Sequence, residues 1–313
     1  MSRVAIIGAT GHVGTYLVPR LVRAGHEVVA ISRGEREPYR PAPEWAATER
    51  LALDRDDPAF EERVAALNAD AVIDMICFDA PAAQRLVEAL APARPLLLHC
   101  GTIWVHGPAA RVPVTEEEPR TAYGDYGTGK ARAEAYLLRQ RDVPAVIIHP
   151  GHICGPGWRV ITPAGNLDAD VWRRLATGEP LPLPDLGLGV LHHVHADDVA
   201  QAFERALTRP QAIGASFHAV SEQAMTLRGL AEAVAGWFGR TASIEYVDWP
   251  EFERRVGAEH ARVTREHVGR SIAASIDRAR AVLGYAPRYS SLQALEESVR
   301  WLAANGQADV PAF

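Results

Sequence analysis

From Val4 to His149 the chain alternates short β-branched runs with longer stretches of helical periodicity, and this alternation restricts its fold more than any other feature. Val4–Ile7, Val28–Ile31, Ala71–Ile73, Leu96–His99 and Ala145–His149 have the length and composition of strands. Between them lie helical patterns from about Val13 to Ala24, near Phe60–Leu67 and Ala82–Leu90, and from about Tyr126 to Arg141. Strands separated by helices predict an α/β fold with a parallel sheet, helices on both faces and right-handed crossovers. After Pro150 the regularity gives way to a Gly- and Pro-rich stretch, 151–189, with one helical segment around Asp168–Ala176. A helix over Asp197–Leu207, a strand over Ser216–Val220, an amphipathic helix over Thr226–Phe238 and a closing helix over Leu292–Leu302 follow. With no flexible linker in sight, a smaller second unit should press closely on the first.

Composition enters where partners are at issue. A chain of 313 residues with 48% hydrophobic residues is too apolar to be disordered. Its formal charge of −6 supplies no drive toward nucleic acid or an anionic membrane, which points to a small-molecule partner. Cys77, Cys100 and Cys154 form neither a CxxC pair nor an even disulfide framework, as expected in a reducing compartment. No apolar stretch reaches the ~18 residues that span a bilayer, and the opening residues carry no leader signature, so a cytoplasmic location is expected.

Gly8-Ala9-Thr10-Gly11-His12-Val13-Gly14 follows the first strand and opens the first helix. Glycines at this spacing permit a tight turn and bring the backbone close to a pyrophosphate, which sits against the free amides of the helix N-terminus. An NAD-specific site would place a carboxylate after the second strand to hold the ribose 2′-hydroxyl. Here Ser32 stands there, with Arg33 beside it to neutralise a 2′-phosphate, so NADP is expected, with NAD as the alternative. Asp54-Arg55 should lie near the adenine. Tyr126 and Lys130 are four residues apart and hence share a helix face, where an ammonium can bring a phenol's proton exchange toward neutral pH.

Taken together, Gly8-x-x-Gly11-x-x-Gly14, Thr102 ahead of Ile103-Trp104-Val105-His106-Gly107, and Tyr126-x-x-x-Lys130 resemble the extended short-chain dehydrogenase/reductases, the NAD-dependent epimerase/dehydratase family. Val194-His195-Ala196-Asp197-Asp198 and Leu283-Gly284-Tyr285-Ala286-Pro287-Arg288-Tyr289 look like later segments of that family. The resemblance implies a Rossmann-type doubly wound sheet over 1–150 and about 190–222. A smaller, closely packed substrate-binding domain would cover about 151–189 and 223–313. It also implies that Tyr126 is the general acid/base, that Lys130 holds the nicotinamide ribose and lowers the tyrosine's pKa, and that Thr102 replaces the usual Ser. Cofactor contacts are expected from Gly8, Thr10, Gly11, His12, Val13, Gly14, Met75 and Pro150, and a homodimer through the helix bearing Tyr126 and its neighbour.

Departures from the pattern concern the substrate. Where nucleotide-sugar members carry an Asn and an Arg that bind a diphosphate, this chain has His152 and Leu191. Leucine carries no charge and His152 offers at most a partial one, although Arg159, Arg173 or Arg174 could reach in. Trp104 and Trp158 are candidates for an apolar wall, and the bulk of Met75-Ile76 replaces a small-residue turn. His149, His152, His192, His193 and His195 could converge near the pocket, but their spacings match no zinc pattern and no metal is expected. The first reading is therefore an NADP-dependent oxidoreductase acting on a compact, non-nucleotide alcohol or ketone. Alternatives are a sugar epimerase or dehydratase, and a non-catalytic dinucleotide-binding or RNA-associated relative.

Overall fold

The computed structural model describes residues 1–311 and 313. In chain order the elements of the first half are β1 (Arg3–Ile7), α1 (His12–Arg23), β2 (Glu27–Ser32), β3 (Glu49–Ala52), α2 (Phe60–Ala65), β4 (Ala71–Asp74), α3 (Ala80–Leu90), β5 (Leu96–Cys100), α4 (Gly124–Arg139) and β6 (Ala145–Pro150). There follow β7 (His152–Cys154), α5 (Asp170–Thr177), β8 (Leu181–Pro184), β9 (Val190–Leu191), β10 (His193–His195), α6 (Ala196–Ala206) and β11 (Ser216–Ala219). The chain ends with β12 (Met225–Thr226), α7 (Leu227–Trp237), β13 (Ile244–Val247), α8 (Trp249–Val256), α9 (Ala258–Val268) and α10 (Ser291–Ala304).

Seven strands form one sheet in the order β11-β6-β5-β4-β1-β2-β3, and every neighbouring pair is parallel. Strand alternation sends side chains to two faces. Val4 and Ile6 join α1 and α6 in one apolar core, while Ala5 and Ile7 join α2, α3 and α4 in another. This is the predicted Rossmann-type architecture. The strand order reverses at β1, between β2 and β4, and the Gly8–Gly14 turn opens at that crevice.

A third core collects Cys154, Trp172, Leu183, Leu191, Leu230 and Leu295 from segments outside the large sheet. The helices α8 and α9 were not foreseen, because α9 buries only Ala261 and Thr264 and so shows no apolar stripe in sequence. The two later family segments meet each other: the Asp198 carboxylate accepts the backbone N–H groups of Arg288 (2.8 Å) and Tyr289 (3.1 Å). Tyr289 stacks on His195, with centroids 4.0 Å apart. Cys77, Cys100 and Cys154 are free and buried. No helix among the described residues is long and apolar enough to cross a membrane.

Candidate active site

The glycine turn is built as a phosphate cradle. Gly8 adopts φ +84°, and a Cβ there would meet Ile76 and Met75 at 3.0 and 3.3 Å. A Cβ on Gly14 would lie 2.2 Å from the Ala9 carbonyl oxygen, so only glycine lets α1 start this close to the turn. The N-terminus of α1 begins at Gly11 with no side-chain cap and no acidic residue in its first turn, leaving its amides and positive dipole end for an anion. Val13 and His12 are buried beneath this turn; the His12 ring stacks on Trp158 at 5.1 Å, and burial holds its pKa down to about 3.

At the end of β2 the Ser32 hydroxyl accepts the Gly34 N–H at 3.3 Å, and Arg33 is exposed, 3.0 Å from the Glu35 carboxylate. Asp54 is exposed as well. Arg55, expected near the adenine, is instead committed to the structure: it makes two hydrogen bonds of 2.7 and 2.8 Å to the buried Asp74 at the end of β4. Desolvation of Asp74 raises its pKa, but the Arg55 charge and hydrogen bonds outweigh that and hold the carboxylate below its usual range.

Tyr126 and Lys130 share the first turns of α4. The Lys130 ammonium is buried, donates to the Cys100 carbonyl at 2.6 Å and lies 5.9 Å from the Tyr126 ring centroid. Close packing of α4 needs Gly129, whose Cβ would sit 2.4 Å from the Phe78 carbonyl oxygen. Thr102 and Tyr126 line the same cavity, and the Thr102 hydroxyl accepts the Trp104 N–H at 3.2 Å and so caps the short helix Ile103–His106. The expected lowering of the Tyr126 pKa by Lys130 is not what this arrangement produces. Although Tyr126 is 45% exposed, partial desolvation of its phenol pushes the pKa up to about 12, the Cys100 thiol adds to the rise, and the neighbouring Thr102 hydroxyl opposes it.

A cavity of about 760 Å³ opens above these groups, lined by Thr102, Trp104, Tyr126, His152, Trp158 and Arg159. Three further residues belong to it or brace it and carry no sequence signal. Arg36 lines the cavity from the loop after β2. His267 meets Trp104 edge-on at 4.9 Å. Arg270, buried, stacks over both Trp104 (3.8 Å) and Tyr123 (3.9 Å) and donates to the Tyr123 carbonyl, bracing the start of α4.

A family model, the NAD-dependent epimerase/dehydratase family, matches residues 4–219. The chain belongs to that family. It is 31% identical over 244 residues to a 2′-dehydrokanamycin reductase of Streptomyces kanamyceticus, covering 76% of this chain and 67% of that protein. It is 27% identical over 311 residues to the chloroplast stem-loop binding protein of 41 kDa b of Arabidopsis thaliana, covering 95% of this chain and 78% of that protein. Among solved structures, the Bordetella bronchiseptica enzyme WbmG in complex with NAD and UDP superposes with a TM-score of 0.75 at 19% identity, over 99% of this chain and 96% of that one.

Within this epimerase/dehydratase member, the groups that depart from the family pattern sit in telling places. Leu191 is fully buried in the third core. His152 lines the cavity, but burial holds its imidazole down to about 4, which removes the partial charge expected of it. Arg173 and Arg174 are tied to Asp170 at 2.6 Å and do not line this cavity; only Arg159 of the three does. The five histidines separate: His152, His192 and His193 cluster together, His195 stacks on Tyr289, and His149 lies in a different buried group with Glu134.

Proposed function

We propose that the protein is an NADP-dependent oxidoreductase acting at a secondary alcohol or ketone of a compact, non-nucleotide substrate. The observation that carries this reading is the Thr102–Tyr126 pair at the cavity, with an uncharged, buried leucine where a diphosphate-clamping arginine would stand. In this reading the turn from Gly8 through Thr10, Gly11, His12 and Val13 to Gly14 holds the pyrophosphate by backbone amides, and Met75 and Pro150 border the nicotinamide end. Ser32 leaves room for a 2′-phosphate and Arg33 neutralises it, while Asp54 lies toward the adenine edge. A bound nicotinamide supplies or accepts the hydride. Thr102 hydrogen-bonds the reacting oxygen, and Tyr126 Oη delivers its proton as charge develops there. Lys130 holds the ribose hydroxyls. Trp104 and Trp158 wall the substrate, and the buried His152 Nε2, without a partner in the fold, is the spare polar atom that orients it.

A sugar-nucleotide epimerase is the second reading, favoured by Arg159 at the cavity. Calorimetric titration of the NADP-loaded protein with UDP, dTDP and GDP separates the two: only millimolar binding is expected, and micromolar affinity for any of them would restore the epimerase. Native mass spectrometry of the purified protein supplies a second arm, since an oxidoreductase should exchange its cofactor and an epimerase should retain it. A homodimer packed through α3 and α4 belongs to the same proposal and is checked by sedimentation.

A further inference from the structure

We propose that His106, His149 and His218 form a binding site for a divalent transition cation of zinc type, buried at the carboxyl end of the large sheet. The three come from the short helix after β5, from β6 and from β11, and one ring nitrogen of each lies within 4.8 Å of those of the other two. His149 and His218 are register partners on adjacent strands, which sets their side chains on the same face of the sheet. All three side chains are buried.

Their outer hydrogen bonds decide which nitrogens are free. His218 Nδ1 is 2.9 Å from the Ser275 carbonyl oxygen, and His149 Nε2 is 2.7 Å from a Glu134 carboxylate oxygen. Carbonyls and carboxylates only accept, so both ring nitrogens are N–H donors there. Arg120 Nη1 lies 3.5 Å from His106 Nδ1, but its two hydrogens already serve the carbonyls of Glu116 (2.9 Å) and Glu118 (2.7 Å). His218 Nε2 therefore carries a lone pair and lies 2.8 Å from His106 Nε2, and His149 Nδ1 has no partner among the described residues.

A metal at ~2.0–2.1 Å from each nitrogen would replace the proton shared by His106 and His218, which leaves to solvent, and would take the unpartnered His149 nitrogen as well after small side-chain shifts. The outer shell includes partners that imidazole-bound metals prefer, the Glu134 carboxylate behind His149 and the Ser275 carbonyl behind His218. Neutral nitrogen donors select zinc, cobalt or nickel over calcium or magnesium. A bound ion would tie the helix capped by Thr102 to β6 and β11, and through Glu134 to α4.

The test is to strip the full-length protein with a chelator, remove the chelator and titrate with Zn²⁺ and Co²⁺. Roughly one equivalent of zinc should survive gel filtration, with a rise in Tm on the order of 5 °C. Cobalt should give the intense visible absorption of a four-coordinate, nitrogen-ligated ion. His106→Gln and His218→Gln should lose the equivalent, and His152→Gln, in the neighbouring cavity, should keep it. Retention below ~0.1 equivalent by wild type, loss in His152→Gln, or survival in both of the other variants overturns the site. Because a buried variant can fail to fold, the wild-type cobalt spectrum also decides alone: the weak absorption of a hydrated ion overturns the proposal.

Discussion

Tyr126 shows how far a residue's chemistry depends on its surroundings. Its spacing from Lys130 was legible because a helix brings i and i+4 together, but its proton affinity was not, since burial is a property of the fold. With a phenol at about 12, carbonyl reduction, which needs the protonated form, should show no alkaline fall in kcat/KM across the accessible range, and alcohol oxidation should rise with pH. Tyr126→Phe should lower kcat by roughly 10²–10⁴-fold with NADPH affinity nearly unchanged; an unaltered turnover rate would remove Tyr126 from the chemistry. Arg33 offers a second residue-scale test. Arg33→Ala should weaken NADPH by roughly tenfold, the low end for a charged hydrogen bond because the side chain is exposed and shares its charge with Glu35. NADH binding should not change, so equal losses for both cofactors in parallel fluorescence titrations would contradict the assignment.

At the scale of elements, the junction of β1 with α1 was the best-read part of the chain, because its glycines have local causes. Gly14→Ala would drive a methyl against the Ala9 carbonyl, and backbone on both sides cannot rotate away. A loss of about 1–3 kcal/mol is expected from such overpacking, with weaker NADPH binding as the turn shifts. Urea unfolding with an unchanged midpoint would show that α1 slides instead. Helix α4 was legible for Tyr126 and Lys130 but not for its bracing. Arg270 reaches it from the far end of the chain, and a lone arginine in a polar segment carries no sequence signal.

For the molecule as a whole, the buried histidines govern its response to acid. Burial lowers His12, His99 and His193 to about 3 and His192 to about 4. The unfolded chain takes up protons on these rings near 6.5, the native state only far below. The unfolded state therefore binds more protons once pH drops under ~6.5. Stability is full above that value and is lost toward pH ~4, by about 1.4 kcal/mol per pH unit for each such ring. Tm should be level between pH 8 and 7 and fall steeply from 6 to 5; a level profile across that lower interval would mean the rings titrate in the native state.

The order of strands and helices through residue 149 apart from β3, the phosphate turn and the Tyr126–Lys130 pair follow from local periodicity and spacing, so the sequence alone determined them. The missing diphosphate ligand was readable as Leu191, but its burial in a core assembled from segments far apart in the chain was not. The same holds for Arg55, which looked free and is bound to Asp74 across adjoining loops. Histidines at 106, 149 and 218 have no common spacing because three separate elements deliver them to one place. Contacts between residues distant in sequence arise when the sheet closes, and only then do desolvation and hydrogen-bond competition set which nitrogen, carboxylate or phenol is available for chemistry.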